Sequence, residues 1–252
     1  MAEHHHHHHH HHDYAQANAD HFSEKSRDYT TEFSTEIGKR CASAILKSYP
    51  FDPSQTEVLD FACGPGLVSF QLLPHAKKII GADLASGMVD VFNENAKQQG
   101  FSPDKLQCIQ TDILKDDSKE LDGVLFDVII CTQAYHHFPD TTQVTRMLAK
   151  RLKPKGRLII VDFIQDKDIE QFFGRLHDSN HAHIVAHKRG FASDEIINMF
   201  KAVDLQNPKF ETAFQMSKSE MKSYPGHEVF GKIMQGDEDF IFKYFVAYAD
   251  RA

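Results

Sequence analysis

One stretch constrains this chain more than any other: Val58-Leu59-Asp60-Phe61-Ala62-Cys63-Gly64-Pro65-Gly66. A short apolar run, Glu57 to Phe61, leads into two glycines, and Leu67 to Leu73 has the pattern of a helix. Glycine lets backbone approach a ligand closely, and a helix N-terminus offers unpaired amides. A Gly-x-Gly alone is weak evidence. Its context strengthens it, because Asp83 ends a second strand, Lys78 to Ala82, near the separation expected of a ribose-binding acid.

The alternation continues. Ser86 to Gln99 reads as a helix closed by Gly100, Leu106 to Gln110 as a third strand and Leu125 to Cys131 as a fourth. Thr141 to Leu152 reads as a helix, Pro154 to Gly156 as a turn and Arg157 to Phe163 as a fifth strand. Strand, helix, strand at this spacing predicts right-handed crossovers and a parallel sheet covered on both faces. Upstream, residues 13 to 35 are polar and helix-prone, and Ser34 to Ser48 forms an amphipathic helix ended by Pro50 and Pro53. Downstream, Ile169 to Arg189 is polar and rich in histidine, which suggests an insertion near residues 165 to 190. Ser193 to Val203 is a helix capped by Ser193, and Lys209 to Phe214 and Phe240 to Tyr248 are strands flanking a helical stretch, Lys218 to Gln235. Without repeats or a second core, residues 13 to 252 read as one domain.

The glycine loop admits a dinucleotide or S-adenosylmethionine. Ser69 stands where the dinucleotide fingerprint wants Gly or Ala, and Asp60, just ahead of the loop, would repel a pyrophosphate. It would attract a cationic amino group instead. Asp60, Asp83 and Asp112 fall at the C-terminal ends of successive strands, which converge on one crevice in an open α/β sheet. S-adenosylmethionine presents a sulfonium, an ammonium, ribose hydroxyls and an adenine amino group to such a crevice, and carboxylates accept from these donors.

Composition narrows the partners. The formal net charge of -8 gives no electrostatic reason to bind nucleic acid or anionic lipid. No apolar run approaches the roughly 20 residues that span a bilayer, and no secretion pattern opens the chain, so a cytoplasmic protein without membrane insertion is expected. Cys41, Cys63, Cys108 and Cys131 form no close pair in sequence and read as reduced thiols. His4 to His12 reads as an affinity tag, with a native metal-binding tract as the alternative, and is set aside from the fold.

The segments together resemble class I S-adenosylmethionine-dependent methyltransferases, in particular the small-molecule group related to ubiquinone and menaquinone biosynthesis C-methyltransferases. Val58 to Gly66 resembles the first motif of that group and Ile79 to Leu84 the second, with Ser86 and Met88 where a helix starts over the ribose. Thr111-Asp112-Ile113 is similar to the adenine-contacting segment, Phe126 to Ile129 to the fourth strand, and Leu152 to Leu158 to the lead into strand five. The resemblance implies a Rossmann-like α/β fold: a seven-stranded, mostly parallel sheet with an antiparallel last strand and helices on both faces. It implies that Gly64 and Gly66 hold the methionine part, Asp83 the ribose, and Asp112 and Ile113 the adenine, with Asp60, Met88 and Thr132 beside them. Asp28-Tyr29 resembles an N-terminal segment that closes over the cofactor as a lid.

Methyl transfer is an in-line displacement in which the enzyme aligns the reactants and excludes water. Cys131 to Phe138 follows strand four on the ligand side, so His136 and His137 are the candidates for a base, and Tyr135 for orienting a small-molecule acceptor. His177, His181, His183 and His187 are dense, yet no acid or cysteine shares a ligating spacing, so a polar cap over the acceptor pocket is expected and no metal site. Two other classes fit the first strand-helix-strand unit: an NAD-dependent oxidoreductase, against which Asp60 and Ser69 stand, and a non-catalytic cofactor-binding protein. The motifs encode neither the methylated atom of the acceptor nor the oligomeric state.

Overall fold

The computed structural model describes residues 13–115, 119–175, 184–227, 236 and 238–252. The histidine tract, His177, His181, His183 and the end of the stretch expected to be helical up to Gln235 lie outside the described residues.

Seven strands form one sheet: β1 Glu57–Phe61, β2 Lys78–Asp83, β3 Leu106–Gln110, β4 Phe126–Thr132, β5 Leu152–Phe163, β6 Gln206–Ser217 and β7 Ile241–Asp250. Their order is β3-β2-β1-β4-β5-β7-β6. β1 to β5 pair in parallel, and β7 runs antiparallel to both β5 and β6. The last strand is therefore the reversed one and slots between β5 and β6. The order reverses between β1 and β4, where loops leaving the C-terminal ends of adjacent strands diverge and open a crevice.

Successive strand residues feed opposite faces, as the pleat requires. Val58, Ile79, Val128, Ile130, Ile159 and Val161 join one core with helices α2 (Glu32–Ser48), α3 (Leu67–Leu72), α4 (Ser86–Gln98) and α6 (Lys167–Arg175). Leu59, Ile80, Ile129, Leu158 and Ile160 join the other, under α5 (Thr141–Ala149) and α7 (Ser193–Ala202). Both faces are covered, so the strands read as continuous apolar runs. Each such side chain contributes about 1.5–3 kcal/mol on burial.

Local chemistry sets the helix starts. α2 begins two residues before the expected Ser34 because Thr31 and Ser34 form a reciprocal cap: Ser34 N–H donates to Thr31 Oγ1 at 3.1 Å and Thr31 N–H to Ser34 Oγ at 2.9 Å. α1 (Tyr14–Lys25) is capped by Asp13. α7 starts at Ser193, but its cap position is Ala192, whose N–H donates to Glu195 Oε2 at 3.3 Å; Ser193 lies inside the first turn and is not the expected cap. Past β6 only Lys218–Met221 (α8) is helical among the described residues, with turns following to residue 227. The excursion after β5 returns to its starting point: Phe191 N–H donates to Phe163 O and Gln165 N–H to Phe191 O, each at 2.9 Å.

Candidate active site

A cavity of about 840 Å³ opens over the C-terminal ends of β1, β2 and β4, near the top of the range of about 300–1,000 Å³ typical of small-molecule sites. One half is polar and built on the sheet. There Gly64 and Gly66 take left-handed backbone (φ 55° and 92°), open to glycine at no steric cost. Gly66 caps α3, and a Cβ on it would meet the ring of Phe92 at 2.7 Å. The Asp83 carboxylate ties the loop to β2, accepting from Gly64 N–H and Ala85 N–H at 2.8 Å each. Burial pushes the Asp83 carboxyl above its ordinary value, and the surrounding amides pull it partly back.

Gly64, Asp83, Met88, Asp112, Ile113, Thr132, Tyr29, His136 and His137 all line this cavity. Asp60, Gly66 and Tyr135 do not. Asp60 is buried beneath the loop and accepts from Ser69 Oγ at 2.6 Å, which gives Ser69 a role the dinucleotide fingerprint does not foresee. Burial pushes the Asp60 carboxyl up to about 7, and its Oδ1 has no hydrogen-bond partner. Tyr135 points into the α5–α7 core, fully buried, with its hydroxyl 2.8 Å from Thr145 Oγ1. It anchors the turn after β4 and does not line the cavity, contrary to the acceptor-orienting place expected of it.

The donor set suits the ligand expected from the sequence. Asp83 and Asp112 offer acceptors on the cavity wall, and Thr111 Oγ1, also lining it, is buried without a partner. Cys63 lies beside Gly64, 3.3 Å from Cys108 by Sγ–Sγ distance, so the fold brings together two thiols that are scattered in sequence. Gly81 makes room for them: a Cβ there would sit 2.8 Å from the Cys63 sulfur.

The other half is aromatic. His136 is 6% exposed, and its Nδ1 lies 2.9 and 3.1 Å from the two carboxylate oxygens of Asp162, which is fully buried at the end of β5. Asp162 also accepts from His136 N–H at 3.1 Å and Phe163 N–H at 2.7 Å. The His137 ring packs 4.1 Å from that of His136 by centroids, and its Nδ1 is 2.6 Å from Ile184 O. Ala186 N–H and His187 N–H both donate to His136 O at 2.9 Å, and His187 Nε2 lies 2.6 Å from Phe138 O. His187 thus straps the turn in place. Helix α1 roofs the chamber: Phe22 meets His137 edge-on at 5.5 Å, Asn18 donates to Ile184 O at 3.3 Å, and Asp28 and Tyr29 line the rim.

Sequence reasoning missed Asp162 and the aromatic walls. A signal for Asp162 existed, since it is one more acid at the end of an apolar strand. Nothing local marks Phe163, Phe172, Phe242 and Tyr244 as neighbours.

The family model described as a methyltransferase domain matches residues 52–225. An uncharacterized methyltransferase of Schizosaccharomyces pombe is 40% identical over 158 residues, 61% of this chain and 55% of that protein. A ubiquinone biosynthesis O-methyltransferase of Coxiella burnetii is 34% identical over 101 residues, covering 40% of this chain and 41% of that protein. These matches span about half the length of the curated relatives or less. The YcgJ protein of Bacillus subtilis superposes with a TM-score of 0.61 at 22% identity, over 83% of this chain and 97% of that one, a likeness of fold.

Proposed function

The chain belongs to the methyltransferase-domain family, and from that premise we propose that it transfers a methyl group from S-adenosylmethionine to a small-molecule acceptor. One observation carries this reading: the glycine loop, two of the strand-end acids, Asp83 and Asp112, and the paired histidines all open onto a single cavity. Bound S-adenosylmethionine supplies an activated methyl group on a sulfonium. The chain's residues bind, orient and exclude water.

In this proposal the Gly64–Gly66 loop holds the methionine part, Asp83 the ribose hydroxyls with Met88 in the helix that starts over the ribose, and Asp112 and Ile113 the adenine. Thr132 lies on the wall beside them, Tyr29 and α1 shield the site, and Asp60 acts from beneath the loop. His136 and His137 stand where an acceptor proton would be taken up. A small acceptor, rather than nucleic acid, is supported by the net charge of -8 and by a catalytic chamber walled with aromatic rings. The match to a ubiquinone biosynthesis O-methyltransferase supports the same class. Placement in the cytoplasm is supported by four free thiols, while no helix among the described residues is long and apolar enough to cross a membrane.

Calorimetry with S-adenosylmethionine, S-adenosylhomocysteine and NAD tests the reading. Both sulfur ligands are expected to bind at micromolar levels and NAD not to bind. Asp83→Ala is expected to lose about 1.5–3 kcal/mol, the worth of a hydrogen bond to a charged group. NAD binding without the sulfur ligands would replace the proposal with an oxidoreductase. Cofactor binding without turnover of any acceptor would replace it with a binding protein.

A further inference from the structure

Resting on the methyltransferase reading, we propose that the acceptor is an uncharged, flat, apolar molecule methylated on a phenolic oxygen, with Asp162 the positioning residue that aims His136 at that hydroxyl. Two independent observations carry this.

The first is the wall chemistry. Around His136 stand Phe163 at 5.3 Å and Phe173 at 5.8 Å, centroid to centroid, and the rings continue through Tyr244, 4.8 Å from Phe163, to Phe242, 4.9 Å from Phe172. All of these side chains line the cavity. Aromatic rings favour edge-to-face and offset contact with a flat ring system. Among the described lining residues there is no arginine, and Lys25, on the roof, is the one lysine. A carboxylate or phosphate buried among these rings would have no arginine fork to meet it, and an anion buried without a matched partner is costly.

The second is the buried pair. Asp162 collects donors from His136 N–H, His136 Nδ1 and Phe163 N–H. A carboxylate facing Nδ1 fixes the proton on that nitrogen and leaves the lone pair on Nε2, the one ring nitrogen available to the cavity. A nucleophile needs such an acceptor only if it carries a proton that it must shed. A neutral amine attacks through its own lone pair, and a thiol ionises readily, whereas a phenol needs the base. In the step that follows, the hydroxyl proton passes to His136 Nε2. The oxygen lone pair forms the O–CH₃ bond as the S–CH₃ bond breaks, and that bond's electrons return to sulfur to leave S-adenosylhomocysteine. The imidazolium then releases its proton to solvent.

The test uses the full chain and four probes on one skeleton: 2-naphthol, 2-naphthylamine, 2-naphthoic acid and 2-naphthalenethiol. Naphthol is expected to bind in the presence of S-adenosylhomocysteine and to be O-methylated with kcat/KM at least about tenfold above the other three. Preference for the amine, acid or thiol overturns the inference, as does cofactor binding without turnover of any neutral phenol. Failure to bind S-adenosylmethionine at all is a different result and strikes the methyltransferase reading itself. Asp162→Asn and His136→Ala are then compared on naphthol and on a nitronaphthol that is already ionised at the assay pH. With naphthol, kcat is expected to fall by about tenfold or more, with KM and S-adenosylhomocysteine affinity within about twofold. The ionised acceptor is expected to lose much less. His136→Ala carries the comparison if Asp162→Asn does not fold. An equal loss on both acceptors, or a change confined to KM, makes the pair structural and overturns its role.

Discussion

The two halves of the cavity are built in opposite ways. The glycine-loop half comes from consecutive strand ends: the loop after β1, Asp83 at the end of β2 and Asp112 beyond β3. Its positions follow from hydrogen-bonded register, so the sheet holds it as a rigid edge. The aromatic half is gathered from α1, the turn after β4, the end of β5, α6 and β7. Only the end of β5 and β7 are joined by a ladder; α1, α6 and the turn after β4 are held to them by side-chain packing and a few bonds such as Asn18 to Ile184. In the proposed reading the rigid half holds the cofactor and the aromatic half meets the acceptor.

The largest expected effect lies beneath the rigid half. Burial raises the Asp60 carboxyl from 3.8 to about 7. Between those values the folded chain keeps a proton that the unfolded chain has lost, so stability falls as pH rises from about 4 to about 7 and then levels. Asp60→Asn removes that dependence. Its stability relative to the parent, followed by urea denaturation across this pH range, is expected to improve by up to roughly 4 kcal/mol at 1.36 kcal/mol per pH unit. A flat difference would mean that Asp60 is not held by burial.

Next is Gly66→Ala, which places a Cβ 2.7 Å from the Phe92 ring on a left-handed residue. A cost of about 2–4 kcal/mol is expected, read as a lower melting temperature of the whole domain. Gly87→Ala strikes the other half, because its Cβ would lie 2.5 Å from Ser23 O in α1. A smaller cost of about 1–3 kcal/mol is expected, with faster hydrogen exchange confined to α1 and an unchanged sheet. Global unfolding by Gly87→Ala would break the contrast between the halves. The smallest effect belongs to Arg27→Ala. Its fork to Glu94, at 3.0 and 3.1 Å, joins two exposed side chains that solvent screens, and no measurable change in melting temperature is expected.

What was legible follows the same division. β1 and β3 run over the residues their patterns predict, β2 and α4 differ by a residue at one end, and β4 is shifted by one residue at both ends. Strands buried on both faces carry uninterrupted apolar runs, and the helices between them keep their own period. The edge strand β6 is longer than expected, spanning Gln206–Ser217, because polar and exposed positions on an edge strand obscure its limits. Tyr135 was misjudged for a similar reason. Adjacent residues in a tight turn face opposite ways, and sequence position alone does not say which of Tyr135 and His136 turns inward to the α5–α7 core.

By itself, the sequence determined the parallel α/β sheet, the crevice at the ends of its strands and the acids beside the glycine loop. Each of these is a local pattern, set by side-chain alternation, by φ angles open to glycine and by strand ends that converge whenever such a sheet forms. Only the tertiary structure decided that Asp162 holds His136, that Cys63 meets Cys108 and that an aromatic chamber adjoins the cofactor crevice. The chamber gathers residues as distant in sequence as Phe22 and Phe242. These contacts exist because β7 inserts between β5 and β6 and α1 folds back over the turn after β4, arrangements set by packing free energy summed over the whole domain.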